Sequence, residues 1–145
     1  MKRICIVSIL LLLATDCFGA LKEVTFEWFN LSTNEIFVTD TIGLPNEASP
    51  GRLTPNRTED QLEVSGIGFS ETVYIKDRIV IKWNDNGKDG FHGDFGPPGI
   101  VLPGIAHKAE FKREDLGLPA KLESGKIRFT YLGNDKWRIK LFPTP

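Results

Sequence analysis

Between residues 23 and 29 the chain reads Glu-Val-Thr-Phe-Glu-Trp-Phe. In an extended backbone Val24, Phe26 and Trp28 fall on one face, and Glu23, Thr25 and Glu27 on the other. That period of two recurs along the chain and is what most constrains its fold. Ile79, Ile81 and Trp83 alternate with Arg78, Val80 and Lys82. Ile127, Phe129 and Tyr131 alternate with Arg128 and Thr130, and Trp137, Ile139 and Leu141 with Arg138 and Lys140. Residues 35–42 are rich in β-branched and aromatic side chains, while Leu62 with Val64, Val73 with Ile75, and His107 with Ala109 and Phe111 mark shorter strands. No segment carries a helical stripe longer than about three turns. Residues 112–118 allow one helical turn, stopped by Gly117 and Pro119.

Short strands separated by turn signals predict an all-β fold. The architecture expected is an immunoglobulin-like antiparallel β-sandwich of about seven strands, with a small β-barrel as the alternative. The Cys-Trp-Cys framework of antibody domains is absent, so the expectation concerns architecture alone. A length of 145 residues suits one domain.

Face matching sets the register of the last two strands. It places Phe129 opposite Ile139 and Tyr131 opposite Trp137, closed by a loop at Gly133-Asn134-Asp135. The same register opposes Arg128 and Lys140 on the outer face, and like charges directly opposed are unfavourable. Either a neighbouring strand supplies a carboxylate, or that face is a basic patch for an anionic partner.

The N-terminus has a different character. Met1-Lys2-Arg3 precedes an apolar run from Ile4 to Ala14, followed by Cys17, Gly19 and Ala20. A basic start, a short apolar stretch and small residues form a secretory signal peptide of bacterial character over residues 1–19. The run is too short to span a membrane. A lipid anchor on Cys17 is disfavoured by the adjacent Asp16. The expected product, residues 20–145, is a single β-sandwich domain of the periplasm or extracellular space. Cleavage takes the formal charge from −1 to −2 and removes both cysteines, Cys5 and Cys17. That leaves no disulfide, thiol nucleophile or thiolate metal site. With 18 basic against 19 acidic residues, the chain lacks the excess positive charge of a nucleic-acid-binding domain.

Two long irregular stretches, 43–60 and 84–104, interrupt the strands. Loops of this length in a small domain are uncommon and often functional. The second gathers Asp85, Asn86, Asp89, His92 and Asp94, with glycine at every third position from Gly87 to Gly99. Clustered carboxylates suit calcium, but a helix-loop-helix register begun at Asp85 puts Gly87 and Gly96 at ligand positions. Only an irregular calcium loop is left, and five glycine triplets are too few for a collagen helix. No cofactor is expected beyond such an ion.

The catalytic signatures are missing. No serine sits in a nucleophile elbow, no phosphate loop is present, and no carboxylate pair can be set across a cleft. Trp28, Trp83 and Trp137 fall on inward phases, which assigns them to the core rather than to a sugar platform. Arg78, Lys82, Arg128, Arg138 and Lys140 fall on outward phases. Asn30-Leu31-Ser32 and Asn56-Arg57-Thr58 are glycosylation sequons only in a eukaryotic host. The sequence therefore points first to a small exported, non-catalytic binding module acting through the 84–104 loop. Phe91, His92, Asp94 and Phe95 are its candidate contacts for a protein or glycan partner. The alternative is a carbohydrate- or anion-binding module using Arg128, Arg138 and Lys140. A hydrolase built on carboxylates and His92 or His107 ranks third.

Overall fold

A computed structural model describes residues 22–55, 65–85 and 104–144. Most of the alternating segments become strands. They are β1 (Val24–Asn30), β2 (Ile36–Ile42), β3 (Gly51–Leu53), β4 (Ser65–Phe69) and β5 (Val73–Tyr74). The chain continues through β6 (Arg78–Asp85), β7 (Ile105–Lys112), β8 (Lys121–Leu122), β9 (Gly125–Gly133) and β10 (Lys136–Phe142). One four-stranded sheet has the order β10-β9-β1-β4 and a second the order β3-β2-β6-β7, while β5 and β8 form a two-stranded ribbon. Neither large sheet closes into a barrel, so the fold is the all-β sandwich. Among the described residues no helix is long and apolar enough to cross a membrane.

Two features refine the expectation. The strands number more than seven because short pieces such as Gly51–Leu53 and Lys121–Leu122 pair despite carrying no alternation of their own. One pairing is also parallel: β1 runs alongside β9, with Val24 opposite Gly125 and Glu27 opposite Arg128. Among the described residues the other strand pairs are antiparallel.

The two inner faces meet in one core. Val24, Phe26 and Trp28 of β1 and Ile127, Phe129 and Tyr131 of β9 pack towards Ile36 and Val38 of β2 and Ile79, Ile81 and Trp83 of β6. Fully burying an aliphatic or aromatic side chain of this size contributes about 2 kcal/mol, so this set dominates stability. Trp28 stacks on Phe129 at 4.2 Å between ring centroids and meets Trp137 edge-on at 5.9 Å. Trp28 and Trp83 are fully buried and Trp137 is half-buried, as their inward phases predict.

The hairpin register follows the expectation. Tyr131 lies opposite Trp137, Phe129 opposite Ile139 and Arg128 opposite Lys140. Asn134 and Asp135 both take left-handed backbone angles, with φ of 51° and 60°. That is the twist a two-residue hairpin turn requires, and asparagine and aspartate tolerate it best among non-glycine residues. Gly133 pairs with Lys136 and Tyr131 with Trp137, so Leu132 is an extra, bulged residue. Beyond β7, residues 114–116 form a single 3-10 turn that ends on the left-handed Gly117, as its glycine and proline stops predict.

The outer face of the first sheet resolves the opposed Arg128 and Lys140. The parallel neighbour β1 supplies Glu27, which is almost fully buried. Its carboxylate lies 3.1 Å from Arg128 and 3.1 Å from Lys126. The Arg128 guanidinium is also held between the rings of Phe29 and Phe142, 4.8 Å from each centroid.

Candidate functional site

Chain direction collects several turns at one end of the sandwich. β1, β6 and β9 finish there, while β2, β7 and β10 begin there. The β1–β2 turn, the end of β6, the start of β7 and the β9–β10 hairpin thus surround a cleft of about 480 Å³. Its lining includes Ser32, Asn34, Asp85, His107, Tyr131 and Asp135. Asp85, the last residue of β6, and His107, near the start of β7, both line it.

Asn30, buried at the end of β1, builds one rim of the cleft. Its amide donates to the carbonyls of Asn34 at 2.8 Å and Leu53 at 3.0 Å. Its side-chain oxygen accepts from the Ser32 N–H at 3.0 Å and the Ser32 hydroxyl at 2.6 Å. The Ser32 hydroxyl also lies 2.9 Å from the Asn34 carbonyl. A side chain that closes a turn in this way fixes the backbone two residues on. With both ends of its amide engaged inside the fold, Asn30 is not an exposed glycosylation acceptor.

The opposite rim carries His107 and Asp135. The imidazole lies parallel to the Trp83 indole, with ring centroids 5.4 Å apart and 9° between planes. Its Nδ1 is 2.7 Å from the Asp135 carboxylate. Tyr131 forms the floor and is 2% exposed. Burial raises its phenol pKa above the ordinary value of 10.0. The Asp85 and Asp135 carboxylates push the same way, and a hydrogen bond from the Asp135 backbone partly offsets them.

The protein has two tyrosines, and Tyr74 is exposed. Burial is expected to keep the Tyr131 phenol protonated past the ordinary tyrosine range. For linkage, the Tyr131 contribution to stability is fully present below the unfolded value of about 10 and is lost as pH rises through the folded pKa. Denaturant midpoints measured either side of about pH 10 check the sign, and Tyr131→Phe should remove the part of the high-pH fall that this residue causes.

Among the described residues no basic side chain other than His107 lines the cleft, and this described lining favours ligands that donate hydrogen bonds over anions. A second cavity, about 380 Å³, lies at the far end of β6 and β7. Its guanidinium groups are already paired, Arg78 with Glu110 and Arg113 with Asp77.

The loop contacts expected from sequence, Phe91, His92, Asp94 and Phe95, lie outside the described residues, as do most of the calcium-loop carboxylates. Among the described residues no group of three or more metal-ligating side chains comes together. Arg128, Arg138 and Lys140 do share the outer face of the first sheet. Arg128 is held by Glu27 and two rings, and Arg138 also has an interaction partner. The sequence reading did not find the His107–Asp135 pair. The matched faces of His107 with Trp83 and of Tyr131 with Trp137 were the available signal, but only the packing of the two sheets brings β7 to the β9–β10 turn. No protein-family model, curated protein or solved structure matches the chain.

Proposed function

We propose that this is an exported, non-catalytic binding module that holds a hydrogen-bond-donating ligand in the cleft at the end of the sandwich. The carrying observation is the lining of that cleft, where acidic and amide side chains stand at strand ends and turns with no lysine or arginine among the described residues. Fixed acceptors on a stiff scaffold suit recognition of hydroxyl or cationic groups, because little freedom is lost on binding. The N-terminal signal pattern supports export. The cleft takes precedence over the basic sheet face because Arg128 is already engaged on that face.

The 2.7 Å His107–Asp135 contact gives a second reading, a histidine general base oriented by a carboxylate. The Ser32 hydroxyl makes a poor nucleophile for it, because it is bound into its own turn. Titrating the protein with neutral oligosaccharides and with an arginine-containing peptide, read by amide chemical shifts, separates the two readings. Binding without turnover is expected, with shifts at residues 32–34, 107 and 134–135. Asp135→Asn keeps the left-handed turn and should weaken binding about tenfold, the loss of one hydrogen bond to a charged group. Shifts confined to other faces, or unchanged affinity in that variant, would overturn the binding reading. Hydrolysis abolished by His107→Ala would install the second.

A further inference from the structure

Four strands bound the two large sheets, β10 and β4 in the first, β3 and β7 in the second. Among the described residues no strand pairs with the outer edge of any of them. A free edge is a template for another strand, and proteins block it with shortness or with charge. Gly51–Leu53 is short, and Ser65–Phe69 is a five-residue strand holding Gly66 and Gly68. β10 is longer but presents Lys136, Arg138 and Lys140 in succession on one face. Symmetric pairing of β10 about Ile139 would oppose Arg138 and Lys140, and pairing about Arg138 would oppose Lys136 and Lys140. Both arrangements set like charges against each other.

β7 differs. It is eight residues long, and its outer face reads Ala106, Lys108, Glu110, Lys112. In a two-fold antiparallel pair the pleat requires outer-face residues to oppose outer-face residues. Centring on Glu110 would oppose Lys108 with Lys112 and Glu110 with itself. Centring on Lys108 would oppose that lysine with itself. Centring on Ala109 opposes Lys108 with Glu110 twice, by symmetry, and brings seven residues, 106–112, into the ladder. On the inner face that register opposes His107 with Phe111. Glu110 is held on the outer face by a double contact to Arg78, with Lys108 3.8 Å away. The Arg78 hydrogen bond lowers the Glu110 pKa, which keeps the carboxylate charged.

We propose that β7 is a self-association edge, through which two copies of this chain join their second sheets into one continuous eight-stranded sheet centred on Ala109. The occupant is a second copy because the charge pattern of β7 complements itself when centred on Ala109, whereas the other complementary centre, Phe111, opposes Glu110 with Lys112 but pairs only residues 110–112 of the strand. The ladder shares His107 with the cleft, but Lys108 and Glu110, the residues that set its register, do not line it.

Sedimentation equilibrium tests it. The wild-type protein is expected to be a dimer. Lys108→Glu and Glu110→Lys should each weaken self-association on the order of 30-fold, because two attractive cross-strand pairs become repulsive. An equimolar mixture of the two variants should form a heterodimer, since each supplies the charge the other has lost. Far-UV circular dichroism establishes that each variant is folded, and Lys108→Glu alone suffices if Glu110→Lys is not. The register has its own readout. In a Cys5→Ser, Cys17→Ser background, Ala109→Cys places two thiols on directly opposed residues, whose Cα atoms lie about 5 Å apart. That is within disulfide reach, so the variant should cross-link fully under mild oxidation. A monomeric wild type, single variants that dimerise unchanged, failure of the mixture to associate, or no cross-link in a dimeric Ala109→Cys protein would each overturn the proposal.

Discussion

Replacing Glu27 by alanine is expected to lower the unfolding free energy by about 3 kcal/mol, measured by urea denaturation at neutral pH. The carboxylate is almost fully buried on the outer face of the first sheet. It lies 3.1 Å from Arg128 and 3.1 Å from Lys126, and Arg128 is itself opposed to Lys140 on β10. Removing the acid leaves three cations on adjacent positions, one of them clamped between Phe29 and Phe142 and unable to turn away cheaply. The cost comes from the cations left facing one another on a partly buried face rather than from the lost attraction. Replacing Arg128 by methionine in the same molecule should therefore recover much of the loss, because an apolar side chain can occupy the space between the two rings. Asp40→Ala is the contrast. Its pair with Lys82 at 3.3 Å is exposed on both sides, and its removal should cost under about 1 kcal/mol. A Glu27→Ala effect no larger than that of Asp40→Ala would show that water, not Glu27, balances this face.

The same residues show what a sequence of this kind discloses. The β9–β10 register was legible because a hairpin is local. Two alternating strands and a turn of good turn formers leave one pairing that keeps Tyr131 and Trp137 on the same face. The opposed Arg128 and Lys140 followed at once, and with them the need for a carboxylate. Glu27 was not legible as that carboxylate. It lies about a hundred residues away and arrives through a parallel pairing of β1 with β9, for which alternation carries no signal. The inward phases of Trp28, Trp83 and Trp137 were legible for the same reason as the hairpin. A phase can still slip inside a strand, as β2 shows. A register shift between Val38 and Asp40 turns Thr41 inwards and leaves Ile42 exposed. The cleft divides similarly. Its turns could be read one at a time, from Asn30-Leu31-Ser32 and from Asn134-Asp135. That they share one end, with His107 against Asp135, is a property of the packed sheets.

Trp83 joins the core to the cleft, and Trp83→Ala should cost about 4 kcal/mol in stability. The indole is fully buried on β6. It lies 5.6 Å from the Tyr131 ring, 5.4 Å from Trp137 and 5.4 Å from the His107 imidazole, centroid to centroid. Alanine removes the surface shared by all three and leaves a cavity between the sheets. Trp83→Phe should cost much less, about 1–2 kcal/mol. Phenylalanine keeps an aromatic face, and the indole N–H it removes is buried and approaches the Tyr131 phenol without forming a well-aligned hydrogen bond. The two variants also separate packing from positioning. With phenylalanine beneath it, His107 loses part of its parallel stacking surface while Asp135 still holds Nδ1. Trp83→Phe is therefore expected to fold cooperatively and keep the denaturant slope of the parent. Its amide shifts should change at His107 and at the Asn134–Asp135 turn, far more than at Asp77 and Arg113 at the opposite end of the sandwich. Equal destabilisation by phenylalanine and alanine would mean that the site depends on the indole itself. Changes spread evenly over both ends would mean that Trp83 supports the sandwich as a whole and not this cleft in particular.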